Sequence, residues 1–159
     1  MEKGFLTWDE YFMSLAIVSS LKSKDPNTKV GACLVNKQNR VVSLGYNGMP
    51  NGCDDSKMPW GNSSKEFLKS KYAFVCHAEL NAILNAKGKE LLNSKIYTTL
   101  FPCNECAKAI IQAGIVEVIY LADKYAKTNS VLAAKKMFDL AKVKFKFFKS
   151  EKKEIVLKF

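Results

Sequence analysis

The chain has 159 residues, with 25 Lys and Arg against 15 Asp and Glu, five Cys and a single His. That length suits one domain over 1–159, and a composition 48% apolar and 25% charged is too rich for disorder. One His excludes an HExxH helix, a two-His zinc finger and a multi-His iron site, while the net charge of +10 raises nucleic acid, an acidic membrane or a small anion as partner without choosing among them.

The first residues carry no apolar core after the charge, so no secretory signal is expected. No apolar run approaches the ~20 residues of a membrane span. The odd Cys count argues against a complete disulfide framework. A cytoplasmic protein with reduced thiols and no membrane partner is the expectation.

Thr7-Trp8-Asp9-Glu10 has the form of a capping box, and Phe12, Leu15 and Val18 follow at helical spacing, predicting a helix over 8–22. Asp25-Pro26-Asn27 breaks it. Two short apolar runs, 30–35 and 41–44, read as a hairpin turning at Lys37-Gln38-Asn39. From Gly45 to Ala73 the chain is rich in Gly, Pro, Asn and Ser; a loop this long is usually functional. Gly45 and Gly48 read there either as turn residues or as part of a site.

A helix over 77–86 comes next, then a strand over 96–100. Pro102 suits the first turn of the following helix, and Gly114 suits its stop. The nearly continuous apolar run 116–121 reads as a buried strand. Asn129 or Ser130 is the expected cap of a helix to about residue 140. Val143, Phe145 and Phe147 alternate with Lys144 and Lys146 as a half-buried strand with the lysines on a solvated face. The order α-β-β-α-β-α-β-α-β implies a three-layer α/β/α fold with a five-stranded mixed sheet.

Two fragments carry the chemistry: His77-Ala78-Glu79 and Pro102-Cys103-Asn104-Glu105-Cys106. Cys103 and Cys106, three apart at a helix start, place both sulfurs on one face, and the positive end of that helix stabilises thiolates. With His77 they make three ligands and leave a fourth position open, the pattern of catalytic zinc. A closed structural site needs a fourth ligand, and Cys76, next to His77, is poorly placed to supply it. Glu79 is not a ligand but points to the same place, where it can take a proton from activated water and hand it to a leaving amine. H-x-E…P-C-x-x-C is the pattern of zinc deaminases that act on nucleobases. The lone CxxC alone reads equally as a redox pair.

The chain resembles eukaryotic deoxycytidylate (dCMP) deaminases from about Thr7 to the last strand. The resemblance rests on Cys76–Ile83 and Leu100–Lys108, and also on Trp8–Met13, Asp25–Thr28, Val30–Cys33, Gly45–Cys53 and Ala122–Tyr125. The Gly-Tyr-Asn-Gly-Met-Pro segment makes it specific to this family. It implies a cytidine-deaminase-like fold and hydrolysis of dCMP to dUMP, the precursor of thymidylate. It implies one Zn2+ per subunit, because no second His remains for a structural zinc. It also implies a homo-hexamer, activation by dCTP with Mg2+ and inhibition by dTTP. By the same resemblance the Ala78 N–H meets the pyrimidine O2, Asn47 meets the sugar and Tyr125 lies against the ring or near the phosphate. Asn27 and Lys124 are phosphate candidates, and Tyr46, Asn47 and Gly48 belong to the effector site. The alternative is an RNA or single-stranded DNA deaminase. The lysines weigh against it: residues 142–159 hold seven Lys and two Glu, half the net charge, with no aromatic stacking platform beside them. No nucleic-acid partner is therefore expected.

Overall fold

The structure, a computed structural model, describes residues 4–62 and 65–159. Helix α1 (Trp8–Ser20) starts at the expected capping box, with Glu10 N donating to Thr7 Oγ1 and Thr7 N donating to the Glu10 carboxylate. Strands β1 (Gly31–Val35) and β2 (Val41–Tyr46) form the hairpin. Then follow α2 (Ala78–Asn85), β3 (Lys95–Thr98), α3 (Asn104–Gln112), β4 (Glu117–Tyr120), α4 (Asn129–Ala141) and β5 (Lys144–Phe147).

The five strands make one mixed sheet in the order β2-β1-β3-β4-β5. β1 is antiparallel to both β2 and β3, while β3, β4 and β5 run parallel through the crossover helices α3 and α4. β1 is buried along its whole length because alternate residues feed two cores. Cys33 and Val35 join Phe12, Met13 and Tyr97 under α1; Ala32 and Leu34 join the core shared by α2, α3 and α4. The expected three layers are present, with α1 alone on one face.

Two glycines set the spacing of these layers. A Cβ on Gly31 would lie 1.9 Å from the Ala16 carbonyl oxygen of α1, and one on Gly45 would lie 2.2 Å from the Ala78 oxygen of α2. Gly45 thus lies inside β2, not in a turn, and lets the start of α2 rest directly on the strand. A Cβ on Gly48 would meet only Tyr46, at 3.9 Å, so no turn or close approach demands glycine there.

Several boundaries move. β2 runs two residues past the predicted end, because Gly45 and Tyr46 pair with Ala32 and Gly31. α1 ends at Ser20 rather than residue 22. α3 is capped by Cys103, whose sulfur takes the Cys106 N–H, so Pro102 lies just outside the helix instead of in its first turn. α4 is capped by Thr128, one residue ahead of the expected cap. The long segment after β2 is not featureless: it holds two short 3-10 turns, Phe67–Lys69 and Lys71–Ala73, and a bridge between Gly48 and Cys76. In β5, Lys144 and Lys146 are both exposed, as expected, with Lys146 also pairing with Asp9 of α1 and Glu117 of β4, whereas Phe147, expected on the buried side, is exposed. No helix among the described residues is long and apolar enough to cross a membrane.

Candidate active site

His77 is the residue just before α2, in extended conformation. Its place is set from behind. Cys76 N donates to Gly48 O (2.8 Å), Gly48 N returns a bond to Cys76 O (3.0 Å), and Asn81 Nδ2 reaches Tyr46 O (2.8 Å). The start of α2 is therefore clamped to the end of β2. Cys103 and Cys106 sit at the start of α3, at the carboxyl end of β3, where ligands collect in parallel α/β sheets. Asn104 and Ser130 exchange bonds of 3.2 and 2.7 Å, tying that start to the start of α4.

These placements bring three donor atoms together. His77 Nδ1 lies 3.3 Å from Cys103 Sγ and 3.4 Å from Cys106 Sγ, and one ligand atom from each residue falls within 4.8 Å of the others. Among the described residues this is the one such group of three His, Cys, Asp or Glu side chains, and Cys76 is outside it. One imidazole and two thiols fit zinc, a borderline-soft cation, and do not fit magnesium or calcium, which want oxygen. All five cysteines are unbridged.

Glu79 is buried, with its Oε2 3.6 Å from Cys106 Sγ. Burial pushes its pKa up, against the pull of His77. Hydrogen bonding from Cys106 and His77 brings the Cys103 thiol down to about 4, opposed by burial. The Cys103 contact, again opposed by burial, lifts His77 to about 9. Cys106 goes the other way, raised by its contact with Cys103 and by burial.

His77, Cys103 and Glu79 border a cavity of about 330 Å³, with Val30, Ala78, Leu100, Phe101 and Val131 among its apolar walls; Cys106 is buried outside the lining. Ala78, fully buried, opens α2, where the N–H has no intrahelical acceptor. Tyr125 lines the cavity at its exposed rim, and Lys124 reaches over it, 4.9 Å from the ring centre, to donate to Thr28 Oγ1 at 3.2 Å. Asn47 lines the cavity too, but its amide is already engaged: Oδ1 accepts from Val30 N (2.8 Å), and Nδ2 donates to Thr28 O (2.9 Å) and Asp25 Oδ2 (3.2 Å). Asn27 is exposed, bonded to the Trp60 carbonyl and not part of the lining. Tyr46 and Gly48 line a second cavity of about 360 Å³ together with Lys22, Lys24 and Asp55; Asn47 is common to both.

Two cavity residues escape sequence reasoning. Asp25 looked like a helix breaker, yet it is buried and accepts bonds from Asn27 N, Thr28 N, Asn47 Nδ2 and Lys71 Nζ. Burial alone would raise its pKa; the four donors, Lys71 foremost, hold it below the usual carboxylate range. Lys71 is one lysine in a loop, and nothing in its local sequence separates it from the others.

The sequence model of the family described as "Cytidine and deoxycytidylate deaminase zinc-binding region" matches residues 6–122. The deoxycytidylate deaminase of Pongo abelii is 52% identical over 155 residues, covering 98% of this chain and 87% of that protein. A probable deoxycytidylate deaminase of Drosophila melanogaster is 50% identical over 162 residues, covering 99% and 80%. Among solved structures, the dCMP deaminase of cyanophage S-TIM5 in complex with dCMP and dUMP superposes with a TM-score of 0.70 at 27% identity, covering 93% of this chain and 99% of that one. With its histidine and two cysteines gathered around one point, and half its residues shared with these relatives along nearly its full length, the chain belongs to the cytidine and deoxycytidylate deaminase family.

Proposed function

We propose that this protein hydrolyses dCMP to dUMP and ammonia, supplying dUMP for thymidylate synthesis in the cytoplasm. The observation that carries the reading is a buried Glu79 beside a His77–Cys103–Cys106 donor set, with Glu79, His77 and Cys103 lining a cavity of about 330 Å³. His77, Cys103 and Cys106 would hold one zinc ion. Zinc in such a site supplies Lewis-acid activation of water.

The remaining work belongs to the protein. Glu79 takes a proton from the attacking water and delivers it to the ring nitrogen next to C4. Burial raises its pKa, which favours its taking up the proton. A second transfer through Glu79 lets the C4 amine leave as ammonia, with the water oxygen retained on the ring. The Ala78 N–H receives the pyrimidine O2, and the apolar walls Val30, Phe101 and Val131 exclude bulk water from the ring. Tyr125 covers the mouth, with Lys124 beside it for the phosphate. Asn47 meets the sugar through the second acceptor position of Oδ1, since both its amide hydrogens are engaged within the protein.

The second cavity supports regulation by dCTP, with the Mg2+ a triphosphate carries, and by dTTP. Lys22 and Lys24 supply positive charge there, and Asn47 forms part of the wall between the two cavities. Exposed Trp8, Val18, Leu21 and Leu84 support assembly into a homo-hexamer.

A substrate panel of dCMP, CMP, dCTP and deoxycytidine, each with and without dCTP and dTTP, tests both parts. Turnover of dCMP above the others is expected. Turnover of an oligonucleotide but not of dCMP would overturn the reading, and a substrate curve indifferent to both effectors would remove the regulatory part alone.

A further inference from the structure

Lys71 is a buried cation in the cavity wall that neither the metal site nor the core uses. Its side chain is 7% exposed, and its ammonium meets Asp25 Oδ2 at 2.5 Å. An ammonium has three N–H donors, and Asp25 takes one. Among the described residues no second hydrogen-bond acceptor meets the Lys71 ammonium; the Tyr72 ring centre is 5.7 Å away.

The carboxylate beside Lys71 has no acceptor position left. Asp25 Oδ1 accepts from Asn27 N (2.8 Å) and Thr28 N (3.1 Å), and Oδ2 accepts from Lys71 and Asn47. Four donors fill the four acceptor positions of a carboxylate. Asp25 therefore cannot also accept from a sugar hydroxyl. Both amide hydrogens of Asn47 are likewise spent. Of this buried trio only Lys71 can still donate into the cavity, and what it needs is an acceptor. A desolvated ammonium favours anionic oxygen over a neutral hydroxyl, because charge-assisted bonds are roughly twice as strong.

A second cation stands on the same loop. Lys124 donates to Thr28 Oγ1, and Thr28 N is held by Asp25. Lys71 inside and Lys124 at the rim thus flank residues 25–28, with the Tyr125 ring against Lys124. The Tyr125 hydroxyl feels the two charges: although partial burial opposes it, its pKa is lowered by Lys124, Thr28 and, from further away, Lys71.

We propose that Lys71 is a specificity-determining residue that donates to the phosphate of the bound nucleotide, and that Asp25 and Asn47 are the positioning residues that hold it there. This rests on the dCMP reading above. It makes the discrimination of nucleotide from nucleoside a property of one buried lysine, fixed across 46 residues by one carboxylate.

The test is titration calorimetry of the zinc-loaded full chain with dUMP and with deoxyuridine. Lys71→Met should weaken dUMP by roughly 100-fold and deoxyuridine by less than about threefold. Lys71→Arg should recover most of the dUMP affinity. Lys71→Gln keeps an N–H for Asp25 while removing the charge; it should show the same split and serves if the methionine variant does not fold. Equal weakening of both ligands would mean a structural lock, and it would overturn the proposal, as would wild-type dUMP affinity in the charge-free variants. Wild-type turnover of dCMP without the split sinks only the role of Lys71. No dCMP turnover by the wild type removes the functional reading and the proposal together.

Discussion

The two ends of the cavity are built in opposite ways. At the metal end, every functional group sits at or next to a helix start: His77 and Glu79 at α2, Cys103 and Cys106 at α3. Each pair lies within four residues of sequence: the helix start brings Cys103 and Cys106 to one side, whereas His77, extended and two residues before Glu79, is placed by the clamp to the end of β2. At the nucleotide end, Asp25, Asn47, Lys71 and Lys124 come from four separate segments. They are held by one buried carboxylate rather than by a secondary-structure element. The difference teaches where tolerance lies. The metal end depends on identity at a few positions, whereas the nucleotide end depends on a network whose members support one another, so damage there spreads.

Breaking the metal end should have the largest effect. Cys103→Ser removes a thiolate ligand while leaving a hydroxyl to cap α3, and should abolish both zinc content, read by atomic absorption, and deamination. Glu79→Ala should keep its zinc and lose about 10²–10⁴ in kcat. Retained activity in that variant would refute the proton-transfer role, and lost zinc would mean that Glu79 belongs to the ligand set.

Asp25→Asn addresses the other end. It leaves Lys71 buried without its counter-charge, at a cost of about 3 kcal/mol, which lowers the melting temperature by roughly 6–12 °C. The pH dependence has a definite sign. The folded pKa of Asp25 lies below its unfolded value, so its contribution is complete above about 3.9 and is lost as the pH falls through the folded value. The stability gap between wild type and Asp25→Asn should therefore be constant near neutrality and close in acid. A gap that widens in acid would contradict the network. The smallest effect belongs to Asn27→Ala, which removes one exposed bond to Trp60 and should change stability by less than about 1 kcal/mol and KM for dCMP by less than about twofold. A large KM effect would bring Asn27 back as a phosphate ligand.

The elements were legible because their signals are local. A capping box, a hairpin turn and apolar runs act over four to eight residues, and all nine helices and strands appear in the expected order. The boundaries that moved did so where a side chain overrode the local signal, as when the Cys103 sulfur took the cap of α3 from Pro102. Gly45 was misjudged for a related reason: a turn glycine and a close-packing glycine look alike until a helix is laid on the strand.

By itself the sequence determined the chemistry. Only one histidine exists, it lies in an H-x-E tripeptide, and two cysteines three apart begin a helix, so ligand spacing and helix periodicity specify the metal site almost without tertiary information. Only the tertiary structure decided which polar residues line the cavity. The amide of Asn47, implied by resemblance to meet the sugar, is engaged by Val30, Thr28 and Asp25, while Lys71, one cation among 25, became distinct once folding buried it against Asp25. The physical reason is that hydrogen-bond capacity and burial are properties of an assembled environment: sequence names the donors and acceptors, but only packing shows which have been used.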